Sequence, residues 1–150
     1  MDILLVCTGN TCRSSMAEGI FNQIINENDD DDVHVTSAGI SVYVSTPASE
    51  DAINVTKEMG IDISEHMSKQ ISEEMVSDAD LILVMTTGHK NILIDIFPEY
   101  TDKIYTLLEY AYGSEDDILD PFGMDCDVYR ECALEIKGAI EKVYDKIRKR

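Results

Sequence analysis

Four short apolar runs punctuate this chain, and each is followed by a stretch with helical spacing or helix-start chemistry. Ile3–Val6, Val33–Ser37, Leu81–Met85 and Lys103–Thr106 read as strands, the first and third apolar throughout, as strands buried on both faces are. Met16, Ile20, Ile24 and Ile25 fall near helical spacing between Ser15 and Asn26. Ser49 is placed to cap a helix that runs to Met59 and stops at Gly60, and Ser72 with Glu73 and Glu74 opens another. Thr86 or Thr87 begins a helix that ends before Pro98, and Asp127–Lys146 predicts a long terminal helix. Strand and helix in alternation imply parallel pairing through right-handed crossovers. The expected fold is α/β, a doubly wound sandwich with about four parallel strands. Such folds bind ligands beyond the C-terminal ends of their strands, which points to the turn at residues 7–14 and to the long loop after the fourth strand.

Length and charge narrow the function. At 150 residues the chain is expected to form one domain, residues 1–150. Thirty acidic residues against twelve basic ones give a net charge of −18, which repels phosphate backbones and speaks against nucleic acid as a partner. No apolar run approaches the roughly 20 residues needed to span a bilayer. Ile3–Val6 is too short for a signal-peptide core, so a cytoplasmic protein without a membrane partner is expected. The run Asp29–Asp32 reads as a solvated loop. The four cysteines, Cys7, Cys12, Cys126 and Cys132, show neither a Cys-x-x-Cys pair nor His at metal-ligand spacing. A disulfide framework and a zinc site are therefore not expected, which leaves packing, redox chemistry or a nucleophile.

The segment Cys7-Thr8-Gly9-Asn10-Thr11-Cys12-Arg13-Ser14 joins the first strand to the first helix. Backbone N–H groups of such a turn, with the helix N-terminus behind it, form a nest for a tetrahedral anion. Gly9 permits backbone geometry that other residues resist. The Arg13 guanidinium can hold two phosphate oxygens at once. Cys7 at the base of the nest sees the same positive field, which favours the thiolate and makes it a ready nucleophile. Dense local donors are also what a protein of this net charge needs if it is to bind a dianion.

These residues resemble the signature of the low-molecular-weight protein phosphatases. Asp120-Pro121 matches the family's late Asp-Pro pair, and Ser37-Ala38-Gly39 and His66 fall where the family has a Ser-Ala-Gly turn and a histidine near the loop. The resemblance covers essentially the whole chain. It implies attack of Cys7 on phosphorus and a phosphocysteine intermediate. Arg13 and the amides of Thr8, Gly9, Asn10, Thr11, Cys12 and Arg13 would hold the phosphoryl oxygens. Asp120 would serve first as acid and then as base. Ser14 would stabilise the thiolate, while Asn10, Ser37 and His66 brace the loop. Neither metal nor cofactor is required, since arginine and amide donors neutralise the oxygens. The implied partners are phosphorylated proteins, with inorganic phosphate as product. Cys7 and Cys12 flank the loop closely enough in sequence for a reversible disulfide to be considered, with packing of Cys12 beneath the loop as the alternative.

Within that family, Thr11 in place of a larger aliphatic resembles the bacterial protein-arginine phosphatase branch. So do Asp120-Pro121-Phe122-Gly123, His89-Lys90 and Thr106-Leu107-Leu108-Glu109-Tyr110. Phe122 stands alone where tyrosine-directed members often carry two aromatics. Phosphoarginine is therefore expected ahead of phosphotyrosine. Ser15 departs from the family's usual proline after the Arg-Ser pair, which should hold the first helical turn less rigidly. Three rival readings share parts of the pattern. Arsenate reduction would recruit Cys126 and Cys132 as a thiol relay. A phosphoprotein-binding module would not need Cys7, Arg13 and Asp120 together. A phosphocysteine carrier would leave Arg13 and Asp120 unexplained.

Overall fold

The computed structural model describes residues 1–149. Its strands are β1 (Asp2–Cys7), β2 (His34–Gly39), β3 (Leu81–Val84) and β4 (Ile104–Thr106). Its α-helices are α1 (Arg13–Glu27), α2 (Glu50–Glu58), α3 (Glu73–Asp78), α4 (Thr87–Ile96), α5 (Leu107–Tyr112) and α6 (Cys126–Arg148). A 3₁₀ turn covers Pro98–Lys103. The strands form one parallel sheet in the order β2-β1-β3-β4, with Cys7 opposite Gly39 and Val6 opposite both Ala38 and Val84. This is the α/β sandwich expected from the alternation of elements.

Period-two alternation sorts the strand side chains onto two cores. Ile3, Leu5 and Cys7 of β1 join Leu81 and Leu83 of β3 under α1, α2, α5 and α6. Leu4 and Val6 join Ile82 and Val84 on the other face, against Val76 of α3 and Leu93 of α4. The 23-residue α6 buries Tyr129, Cys132, Ala133, Ile136, Ala139, Ile140, Val143, Tyr144 and Ile147, a stripe at helical spacing. Burying an isoleucine such as Ile136 or Ile140 contributes about 1.5–3 kcal/mol, which anchors α6 against α1, α5 and α2.

Two segments differ from the sequence expectation. The stretch after β4 is not loop at once: α5 forms first, because Thr106 accepts from the Glu109 amide while Glu109 reaches back to the Thr106 amide. The remaining loop spans residues 113–125. The first helix begins at Arg13 rather than near Ser15, which brings Arg13 and Ser14 into its first turn.

Candidate active site

The chain leaves the sheet at Cys7 and enters α1 at Arg13, so residues 8–12 must turn within one short loop. Asn10 takes a left-handed backbone conformation, φ 58°, to make that turn. Its fully buried side chain is also the hub that fixes the loop. Asn10 Nδ2 donates to Ser14 Oγ at 2.8 Å and to Ser37 Oγ at 2.9 Å, while Oδ1 accepts from the Lys69 amide at 3.0 Å. The Asn10 carbonyl lies 2.6 Å from His66 Nε2. The end of β2 comes close as well: a Cβ on Gly39 would stand 2.7 Å from the Thr8 carbonyl oxygen and 3.0 Å from the Asn10 nitrogen, so this position needs glycine.

Two donors converge on the buried Cys7 sulfur. The Asn10 amide lies 3.3 Å from Sγ and Ser14 Oγ lies 2.9 Å away. A thiolate at Cys7 only accepts, and toward it Ser14 Oγ, which itself accepts from Asn10 Nδ2, directs its own proton. The first turn of α1 carries no acidic residue, and its cap residue, Cys12, makes no side-chain capping bond. The positive end of the helix dipole therefore faces the loop unneutralised.

Arg13 is buried at 4% exposure, its Nη1 donating to the Ile118 carbonyl at 3.0 Å and its Nη2 lying 3.6 Å from Asp120 Oδ2. The Asp120 side chain is half exposed. Its Oδ1 accepts the Phe122 amide at 3.1 Å, an Asx turn that orients the carboxylate, and Phe122 stands exposed beyond it. The loop carrying Asp120 is tied down just ahead of it. Ile118 N donates to the Met85 carbonyl at the end of β3, and Asp117 Oδ1 accepts from Thr87 N at 2.8 Å and from Thr87 Oγ1 at 3.1 Å. A strand-end cysteine in a tight loop, an arginine behind it and a carboxylate reaching the arginine from a late loop are thus one site.

The family model described as low molecular weight phosphotyrosine protein phosphatase matches residues 2–150. The chain belongs to this family. A protein-arginine-phosphatase of Bacillus subtilis (strain 168) is 40% identical over 149 residues, 99% of this chain and 98% of that protein. The solved YwlE arginine phosphatase C7S mutant with a phosphorylated active site serine has a TM-score of 0.92 and 39% identity, covering 99% of this chain and 97% of that one. A low molecular weight protein tyrosine phosphatase from T. tengcongensis has a TM-score of 0.93 and 47% identity, covering 97% and 99%.

In this phosphatase-family chain, His66 and Ser37 each contact Asn10 of the loop, and Glu18 lies 3.8 Å from His66 Nδ1. Burial pulls the His66 pKa down, but the Glu18 carboxylate and the Asn10 carbonyl outweigh it and raise the value above 6.5. Burial opposes ionisation of Glu18, yet His66 and Ser37 draw its pKa below the ordinary value. Thr11 is half-buried, with its carbonyl held by the Ser49 amide at 2.9 Å and its hydroxyl 3.9 Å from Cys12 Sγ. Cys12 is buried beneath the loop, 3.4 Å from both Ser49 Oγ and Tyr129 OH.

The other two cysteines stand apart from this loop. Cys126 opens α6 and donates to Asp51 Oδ1 at 3.3 Å, a bond that pushes its pKa up. Cys132 faces the Leu119 carbonyl, and burial pushes its pKa up to about 12. Both shifts run away from the thiolate that a reductive relay uses. Ser15 Oγ donates to the Cys12 carbonyl at 2.9 Å, so the residue that departs from the family pattern still ties the first turn of α1. Glu18, Lys69, Ser49, Tyr129 and Asp117 carried no site signal in the sequence, since each acts through a partner far along the chain. Among the described residues, no group of three His, Cys, Asp or Glu is placed to hold a metal ion, and no helix is long and apolar enough to cross a membrane.

Proposed function

We propose that this chain is a cysteine-dependent protein phosphatase that works through a phosphocysteine intermediate and prefers phosphoarginine to phosphotyrosine. Cys7 attacks phosphorus in line with the leaving group, whose departing atom takes a proton from Asp120. The Arg13 fork and the loop amides of residues 8–13 hold the equatorial oxygens as charge develops on them. Asp120, now a carboxylate, takes a proton from water that attacks the phosphocysteine. Inorganic phosphate leaves, and Ser14 stabilises the thiolate that is released. Residues 1–150 act as one phosphatase domain, in the cytoplasm. With arginine and amide donors on the phosphoryl oxygens, this scheme calls on no metal or cofactor.

The observation that carries this reading is the pair of donors on the Cys7 sulfur, combined with the 3.6 Å approach of Asp120 to Arg13. A solved relative whose active-site serine replaces cysteine and bears a phosphoryl group supports the covalent step. Relatives named protein-arginine-phosphatase, together with Thr11 in the loop and the single aromatic Phe122 after Asp120-Pro121, support phosphoarginine. A threonine hydroxyl can order the attacking water or contact a polar guanidinium group, whereas an aliphatic wall suits an aromatic ring. The alternative is phosphotyrosine, favoured by relatives with that activity in their names.

The test is kcat/KM on phosphoarginine and phosphotyrosine peptides side by side, for wild type and Cys7→Ser. Wild type should turn over phosphoarginine with the larger kcat/KM, and Cys7→Ser should turn over neither while remaining folded. Substantial hydrolysis by Cys7→Ser would remove the nucleophile assignment. A larger value for phosphotyrosine would reverse the preference.

A further inference from the structure

His89 has no part in the scheme above, yet it touches the loop. It lies in the first turn of α4, only 7% exposed, and its amide donates to the Thr86 hydroxyl at 3.1 Å, which pins its backbone. Its Nε2 lies 2.8 Å from Thr8 Oγ1. Its Nδ1 is buried and has no hydrogen-bond partner among the described residues.

That orphaned nitrogen selects the tautomer. A buried N–H without an acceptor is rarer and costlier than a lone pair without a donor, so the proton sits on Nε2 and is donated to Thr8 Oγ1. The ring stays neutral near pH 7, because burial and then the Arg13 charge lower its pKa to about 4, against the opposing pull of Asp117 and Asp120. Thr8 Oγ1 thus accepts from behind, and its own proton is left to point elsewhere. Thr8 is exposed and directly follows Cys7, the residue that attacks phosphorus in the reading above. A hydroxyl committed to donating suits phosphoryl oxygens, which only accept. It does not suit a guanidinium, which only donates.

We infer that His89 is a positioning residue: by donating Nε2–H to Thr8, it makes the Thr8 hydroxyl a fixed hydrogen-bond donor to the bound phosphoryl group. The inference rests on the phosphatase reading but not on which side chain carries the phosphate.

The experiment measures inhibition by inorganic phosphate, and kcat and KM on an activated aryl phosphate. The variants are Thr8→Val, His89→Leu, His89→Gln and the Thr8→Val/His89→Leu double. His89→Leu and Thr8→Val should each raise the inhibition constant for phosphate roughly three- to tenfold, the weight of one oriented hydrogen bond. The double variant should match Thr8→Val alone, since His89 acts through that hydroxyl. His89→Gln, whose amide nitrogen can reach and donate, should return toward wild type. Effects that multiply in the double variant would overturn the inference, as would an unchanged phosphate constant in Thr8→Val. If His89→Leu does not fold, the Thr8→Val and His89→Gln values still decide. A change confined to the ratio between substrates would place Thr8 against the leaving side chain and also overturn it. A wild type with neither turnover nor phosphate inhibition would remove the phosphatase reading itself, a result distinct from unequal variants of an active enzyme.

Discussion

Replacing Asn10 tests how the loop is held. Asn10→Ala deletes an amide that makes three hydrogen bonds at a fully buried position, to Ser14, Ser37 and the Lys69 amide. At a net 0.5–1.5 kcal/mol each, these bonds sum to roughly 1.5–4.5 kcal/mol. The left-handed backbone adds to the loss, because Cβ and the following carbonyl crowd there, at roughly 1–2 kcal/mol for alanine. Asn10→Gly loses the same bonds but not the backbone conformation. Its gain is partly offset by greater freedom in the unfolded chain, so it should be less destabilised than Asn10→Ala by about 0.5–1 kcal/mol. Asn10→Asp separates stability from activity. It keeps the acceptor for Lys69, but the new carboxylate draws the Ser14 proton away from Cys7, so turnover should fall much further than stability. Urea unfolding at fixed pH gives the first comparison, and kcat on an activated phosphate ester gives the second. Equal losses for alanine and glycine would refute the backbone part of the reasoning. A total loss below about 1 kcal/mol would refute the hub itself.

Asp120→Asn should slow release of poor leaving groups much more than activated ones, because only the former need the proton; equal slowing in a leaving-group series would remove Asp120 as the acid. Thr11→Ile should shift the ratio of kcat/KM for phosphoarginine over phosphotyrosine toward phosphotyrosine by roughly fivefold or more, from a lost polar contact and a gained apolar one. An unchanged ratio would reduce Thr11 to packing in the loop. The raised pKa of His66 makes its contribution to stability complete below pH 6.5, its ordinary value, and lost as pH rises through the higher folded value. Unfolding free energy measured across that range should decline in wild type and lose this component in His66→Gln, and identical slopes would contradict the ion pair with Glu18. Peroxide treatment should give a Cys7–Cys12 disulfide that thiol reductant reverses with recovery of activity; mass spectrometry finding only Cys7 sulfonic acid would leave Cys12 as a packing residue held by Ser49 and Tyr129.

Much of this architecture is written locally. Ile3–Val6 and Leu81–Val84 are apolar at every position because both faces of the sheet are covered, and that pattern survives without knowledge of neighbours. Ser49, Ser72 and Thr86 each accept a bond from an amide three residues ahead, so the starts of α2, α3 and α4 follow from short-range chemistry. The same chemistry stands at Thr106 and Glu109, where α5 begins, but there the capping residue is also the last residue of a three-residue strand, so no local pattern separates the two elements. Cys7, Arg13 and Ser14 are near neighbours in the chain, and their convergence is a property of one strand, one turn and one helix start.

Tertiary structure decided which distant groups complete that turn. Ser37 reaches Asn10 because β2 pairs with β1 in a register that sets Cys7 beside Gly39, and any other register would carry it away. His66, 56 residues from Asn10, and the Ile118 carbonyl, 105 residues from Arg13, arrive through connections whose paths depend on strand order and packing. His89 depends on the same decision. Its place at the start of α4 was legible, but its contact with Thr8 exists only because β3 lies next to β1, so that the helix after one strand faces the loop after the other. Periodicity and capping act over a few residues and are recorded in the chain itself. The order of strands in a sheet is settled by burial of whole faces at once, and only that order brings the arginine, the acid and the histidines to a single edge.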